Sequence, residues 1–365
     1  MKASVFFGSV LCACTLITVQ PAAAGEPETQ YGTGKIGISL PTQNVERFNK
    51  EGRFLKEAFE AEGYEVSLYF AGDNDLIIQQ HQLDRMVDDN CDLIIVSPVD
   101  SYKLDEQLSR AKAKGIKVLS YGSLLMDTDA VDYLVTFDPW SAGEMQGNYL
   151  RTALNLDEAT PANPKNIEVF SGVTTDSASE VRFQGAMSVL EPYINRGVLT
   201  VGSGVKDFAA ASVGRSDDDA VVRMDGLVAS QGYAPEGVRL DGVLCPNDNA
   251  AAAVITSLKR AGYTSENMPR ITGQDCSAAG VHNIELGLQG MSVFEDGRVL
   301  ANTAVRITDS ILAGKTARIT DLGIRNGAKD VPAWECQPEY VADGKYADIL
   351  VKNGYLTRSE IDNPF

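Results

Sequence analysis

Apolar positions along the chain fall into two alternating patterns. Lys35–Leu40 is a short apolar run bounded by glycine and predicts a strand, whereas Val45–Glu62 carries Phe48, Leu55 and Phe59 at helical spacing with charges between them. The alternation continues with strand Tyr64–Phe70, helix Asp75–Asp88, strand Asp92–Ser97, helix Tyr102–Lys114 and strands Ile116–Tyr121 and Tyr133–Phe137. Asp92–Ser97 reads DLIIVS, the unbroken apolar run of a strand covered on both faces. Gly115 stops the helix before it. The pattern then restarts with helix Ser141–Leu154 and a Pro/Asn-rich link, 159–166. Strands are predicted at Ile167–Ser171, Leu199–Ser203, Leu240–Cys245, Arg270–Gly273 and Met291–Phe294. Between and after them come helices Ala178–Leu190, Asp217–Gln231, Ala250–Ala261, Ala278–Leu286 and Arg298–Ala313.

Repeated strand–helix units imply parallel sheets with right-handed crossovers. Two such runs, each about half the chain, imply an α/β protein of two doubly wound lobes. Ligands on such sheets bind at the carboxyl ends of the strands, so the expected site is the cleft where both sets of ends meet. Asp321–Pro338 breaks the alternation with Gly, Asn and Pro among short apolar pairs, and is consistent with a crossover back to one lobe.

Composition narrows the class. With 365 residues, 44% hydrophobic and 22% charged, the chain is globular and long enough for two domains. Residues 1–24 differ: Lys2, an apolar run from Val5 to Val19, and an A-x-A signal ending at Ala24 predict a secretory signal peptide. Leu11-Cys12-Ala13-Cys14 is the alternative, a lipidation site. Removing residues 1–24 moves the net charge from −18 to −19, which repels nucleic acid and anionic lipid. Four cysteines remain, and Cys245 and Cys276 follow predicted strands, where they are either bridged or inert buried thiols. With no mature C-x-x-C and only His81 and His282, no zinc site and no cofactor are expected.

Motifs for catalysis fail on context. GTGKIG (32–37) matches a dinucleotide fingerprint, but its glycines enter a strand instead of opening a helix. Neither histidine sits at a strand end where it would activate a nucleophile. Acidic residues crowd the strand ends, and carboxylates serve both glycoside hydrolysis and sugar-hydroxyl binding. The residues alone leave those two uses open.

KIGISLP (35–41), VERF (45–48), KGIKVLSY (114–121), TFDP (136–139), GAMSVLEPYI (185–194), LCPNDNAAA (244–252), ITGQD (271–275) and NGAKDVP (326–332) together resemble the type I periplasmic sugar-binding proteins, in particular the xylose and multiple-monosaccharide branch. The resemblance runs from Lys35 to the C-terminus. It implies a three-crossover hinge, with a first lobe of 33–138 plus 297–327 and a second of 139–296 plus 328–365. It also implies a periplasmic, monomeric, non-enzymatic binding protein that delivers a sugar or polyol to an ABC permease. A sensory protein that presents its ligand to a chemoreceptor or sensor kinase is the alternative.

Carried over by position, Arg47 is expected to donate to the ligand and Phe48, in place of a Trp, to stack on it. Asp138, Asn247, Asp248 and Asp275 are expected to accept from hydroxyls. As a helix N-cap is the other use of an acid between strand and helix, each has a structural alternative. Trp140 is expected either to supply a stacking face or to pack the hinge. The departures are Gly122-Ser123 for Asp-Arg, Pro139 for Asn, Ser177-Ala178 for Asn-Asn, Ser216 for Trp and Glu295 for Lys. With Glu180, Glu295, Asp138, Asp248 and Asp275 the cleft is expected to be acid-rich, which suits a polyol, a modified sugar or an amine-bearing solute. Smaller groups at 122, 123, 178 and 216 predict a roomier site.

Overall fold

A computed structural model of the chain describes residues 33–214, 217–342, 344 and 346–364. The predicted signal peptide, Cys12, Cys14 and Ser216 lie outside the described residues. The strands are β1 (Lys35–Leu40), β2 (Glu65–Phe70), β3 (Leu93–Val96), β4 (Lys117–Tyr121), β5 (Tyr133–Phe137), β6 (Lys165–Val169), β7 (Leu199–Val201), β8 (Gly242–Leu244), β9 (Arg270–Ile271), β10 (Met291–Phe294), β11 (Asp321–Arg325), β12 (Asp330–Cys336) and β13 (Glu339–Ala342). The helices are α1 (Glu46–Ala61), α2 (Leu76–Asp88), α3 (Asp105–Ala113), α4 (Pro139–Ala153), α5 (Ser177–Asn195), α6 (Phe208–Ala211), α7 (Asp217–Gln231), α8 (Asp248–Arg260), α9 (Ala278–Glu285), α10 (Gly297–Leu312) and α11 (Arg358–Asp362).

Two main sheets form. The first has seven strands in the order β11-β12-β5-β4-β3-β1-β2, and the second has four, β7-β6-β8-β9. Strand β3 shows why the first is covered on both faces: Leu93 and Ile95 join Leu55, Phe59 and Leu300 on one side, while Ile94 and Val96 join Leu83, Met86 and Leu108 on the other. Successive strand side chains point to opposite faces, so a run of four apolar residues feeds two cores. Each such fully buried side chain contributes about 1.5–3 kcal/mol. The expected doubly wound, two-lobed architecture is what the chain adopts. Among the described residues no helix is long and apolar enough to cross a membrane.

Two departures from the expected topology concern the C-terminal third. The sequence assigns residues from 328 on to the second lobe, but β12 pairs in parallel with β5 of the first sheet, Ala333 opposite Leu134 and Cys336 opposite Phe137. The chain therefore crosses back at Gln337–Pro338, because Val331 and Ala333 are buried in the first-lobe core. β11 is antiparallel to β12, and β10 pairs antiparallel with β13, so the sheets are not wholly parallel. The last glycine of the fingerprint, Gly37, falls on β1, where a Cβ would lie 2.7 Å from Met86 Sδ. That glycine serves helix–sheet packing.

In the second lobe α4 and α5 pack with almost no gap. A Cβ on Gly143 would sit 1.9 Å from the Arg182 carbonyl oxygen, and one on Gly185 would sit 2.4 Å from that of Trp140. This backbone approach fixes where the first turns of α5 face the cleft.

Candidate functional site

The carboxyl ends of the strands from both lobes enclose a cavity of about 150 Å³. The first lobe contributes Arg47 and Phe48 from the start of α1, Asn74, Ser97, Gly122, Ser123 and Thr136. The second contributes Asp176, Ala178 and Arg182 at the start of α5, Asn247 and Asn249 at the start of α8, and Gln274, Asp275 and Glu295 after β9 and β10. The lobes touch directly beside it. Ser101 N donates to Thr175 O at 2.9 Å, Ser177 Oγ to Leu124 O at 2.8 Å, and Ala278 N to Glu46 Oε2 at 3.1 Å. Ser123 Oγ donates to Asp176 Oδ1 across the same gap.

Arg47 is the electrostatic centre. Its Nε donates to Glu51 at 2.8 Å, and its Nη1 stands 3.4 Å from Asp275 and 3.6 Å from Glu295. Burial disfavours the cation, but Glu51, Glu295 and Asp275 more than reverse this, so its pKa rises. Burial raises Glu51 despite Arg47, and raises Glu295 despite Arg47 and Arg182. The Arg47 guanidinium lies 5.5 Å from the Phe48 ring centroid, so the two side chains form one amphipathic wall.

The nine expected site residues separate into two groups. Arg47, Phe48, Asn247, Asp275 and Glu295 share the cavity wall. Asn247 also caps α8 through Ala250 N at 2.9 Å. Asp138 caps α4, accepting from the amide and hydroxyl of Ser141. Trp140 is exposed on α4, and Glu180 is exposed and accepts from Gln184 at 3.1 Å. Asp248 is buried behind the wall. It accepts from Gln289 Nε2 at 2.7 Å, Ser292 Oγ at 2.8 Å, Ser277 N at 2.9 Å and Ser277 Oγ at 3.2 Å. Burial, then the charge of Asp275, pushes its pKa up to about 7. Gly273 and Gly280 make room for it, since a Cβ at either would lie 2.2 or 2.1 Å from its oxygens.

Several wall residues escaped the sequence reading. Asn74, Arg182 and Gln274 line the cavity, and their Oδ1, Nε and Oε1 atoms are buried with no hydrogen-bond partner among the described residues. Gln274 lies inside the quoted ITGQD motif, and Arg182 lies one helical turn after Ala178. Asn74 sits in the left-handed region at φ 60°, a turn that aims its side chain. The departures Gly122, Ser123, Pro139, Ala178 and Glu295 all face the cavity. Cys91, Cys245, Cys276 and Cys336 are free and buried, so Cys245 and Cys276 are unbridged. Among the described residues no three His, Cys, Asp or Glu side chains are grouped to hold a metal.

A hinged pair of α/β lobes around one polar cleft defines a class, the two-lobed solute-binding proteins. The chain belongs to the periplasmic binding protein domain family, whose model matches residues 36–316. It is 37% identical to a multiple sugar-binding periplasmic protein of Azospirillum brasilense, over 93% of this chain and 94% of that one. It is 33% identical to a multiple sugar-binding periplasmic receptor of Rhizobium radiobacter (90% and 92%), and 28% identical to the D-xylose-binding periplasmic protein of Escherichia coli (96% and 98%). A solved ABC transporter solute-binding protein from Clostridium phytofermentans, with bound β-D-glucose, superposes with a TM-score of 0.85 at 36% identity, covering 90% of this chain and 99% of that one. These relatives place the chain in the type I, multiple-sugar and xylose branch, as its motifs imply, among binding proteins and not enzymes.

Proposed function

We propose that this protein is the extracytoplasmic binding component of an ABC importer and takes a monosaccharide or sugar-like polyol into the interlobe cleft. The carrying observation is the polar wall that both lobes share, with Arg47 and Phe48 from one and Asn247, Asp275 and Glu295 from the other. A hydroxyl, both donor and acceptor, pairs with the donors and the acceptors of such a wall. Phe48 offers an apolar face for the C–H side of a ring.

The mechanism is hinge closure. The wall residues belong to both lobes, so a ligand touching Arg47 and Asp275 together binds the closed form better than the open one and shifts the balance towards it. The permease then reads the closed form. Export is expected from residues 1–24, and the periplasmic names of the relatives support it.

A thermal-shift screen of residues 25–365 against sugars, polyols, amino sugars and nucleosides tests the ligand class. A ligand at 100 times its Kd adds about 2.7 kcal/mol. Deleting the gene tests the role: loss of uptake of that ligand supports import, while intact uptake with lost chemotaxis or signalling refutes it.

A further inference from the structure

Carboxylate and amide oxygens crowd one part of the cleft wall, at Gln274, Asp275 and Glu295. Among the wall residues, the buried acceptors Asn74 Oδ1 and Gln274 Oε1 and the buried donor Arg182 Nε have no hydrogen-bond partner. The Glu295 carboxylate adds to the acceptors. It faces the cavity with a side chain only 5% exposed, and no described residue donates it a hydrogen bond.

Glu295, Gln274 and Asp275 lie side by side. Gln274 bridges to Val293, two residues before Glu295, and Asp275 N donates to Val293 O at 2.9 Å. The charges are out of balance. Arg47 is committed to Glu51 at 2.8 Å and shares its far nitrogen loosely between Asp275 and Glu295, at 3.4 and 3.6 Å. Charge-assisted pairs close to about 2.7–2.9 Å, so neither carboxylate holds Arg47 as its own. Arg182 acts on Glu295 by charge but makes no ion pair within 4.0 Å with any described carboxylate. Two carboxylates thus share one loosely held guanidinium group and a more distant second one.

Hydroxyls bring no charge to such a pair of carboxylates. A protonated amine brings three donors, no acceptor and one positive charge. We propose that the ligand is an amine-bearing sugar or polyol whose ammonium group sits between Glu295 and Asp275. Its hydroxyls then take the remaining wall groups. Ions of the opposite sign are disfavoured at the same place, which excludes uronic acids and sugar phosphates. This inference rests on the proposed sugar- or polyol-binding function.

The test is titration calorimetry of residues 25–365 with matched probes: glucose, glucosamine and N-acetylglucosamine, and the galactose series. The amine should bind at least tenfold more tightly than its parent sugar, and acetylation should abolish the gain. In Glu295→Gln the preference should shrink to within about threefold, with the melting temperature of the ligand-free variant as a folding control. The wild-type comparison stands by itself if that variant does not fold. Binding of the neutral parent as tightly as the amine, or retention of the full preference by Glu295→Gln, overturns the amine assignment and leaves sugar binding intact. Failure of every carbohydrate and polyol probe to bind overturns both.

Discussion

Asp248 and Asp275 read alike in the sequence, but the structure gives them different work, and Asp248→Ala separates them. The Asp248 carboxylate accepts four hydrogen bonds and is 2% exposed. Its removal strands the Ser277 amide and takes one of two acceptors from Gln289 Nε2, which keeps Met291 O at 3.0 Å. The serine hydroxyls can turn to other partners. At about 1–3 kcal/mol per buried donor left unpaired, the loss is about 2–4 kcal/mol.

The pH dependence is a second signature. Folding raises the Asp248 pKa from 3.8 to about 7, so the folded state holds a proton that the unfolded state releases. Its contribution to stability is therefore complete below pH 3.8 and disappears as pH rises to about 7, with a slope of roughly 1.4 kcal/mol per pH unit. Asp248→Ala removes that slope. In urea unfolding of the ligand-free protein its deficit against wild type should be larger at pH 5 than at pH 8. Equal midpoints at both pH values, with weakened ligand binding, would show that this carboxylate faces the ligand and that the assignment to the wall's support is wrong.

Asp275→Asn keeps a side chain that tolerates the φ of 93° while removing the charge. It should weaken ligand binding by about 1.5 kcal/mol, roughly tenfold, and leave the ligand-free melting temperature unchanged by calorimetry. Gly143→Ala places a Cβ 1.9 Å from the Arg182 carbonyl. It should cost about 1–3 kcal/mol and weaken binding, because α5 must move and carry Arg182 with it. Gly226→Ala, on α7 with nothing within 4 Å, is the control and should be neutral or stabilising.

The sequence makes the parallel core legible because a strand covered on both faces needs no alternation, as β3 shows. It hides β12 for two reasons. DVPAWEC contains a proline and mixed polarity, and its partner strand lies far away in the chain. At the site, the residue type and its place at a strand end identify Arg47 and Asp275. They do not tell Asp248 from Asn249, since each step along a new helix turns the side chain by about 100°. Asn247 is the N-cap, so Asp248 turns inward and Asn249 reaches the cavity. Arg182 is hidden by the same geometry: the departure at Ala178 draws the eye, while the polar atom lies one turn later.

The late return of β12 also sets an order of assembly. The strands of the second sheet all come from residues 165–271, a contiguous stretch that can pair as soon as it exists. The first sheet cannot finish that way, because β5 waits for a neighbour about 200 residues further along. Until Asp330–Cys336 arrives, β5 presents an unpaired edge, and such edges recruit strands from other chains. A nascent or truncated chain ending before residue 330 therefore carries a complete four-stranded second sheet and a first sheet with an adhesive edge. The protein becomes safe from self-association only when nearly all of it has been made.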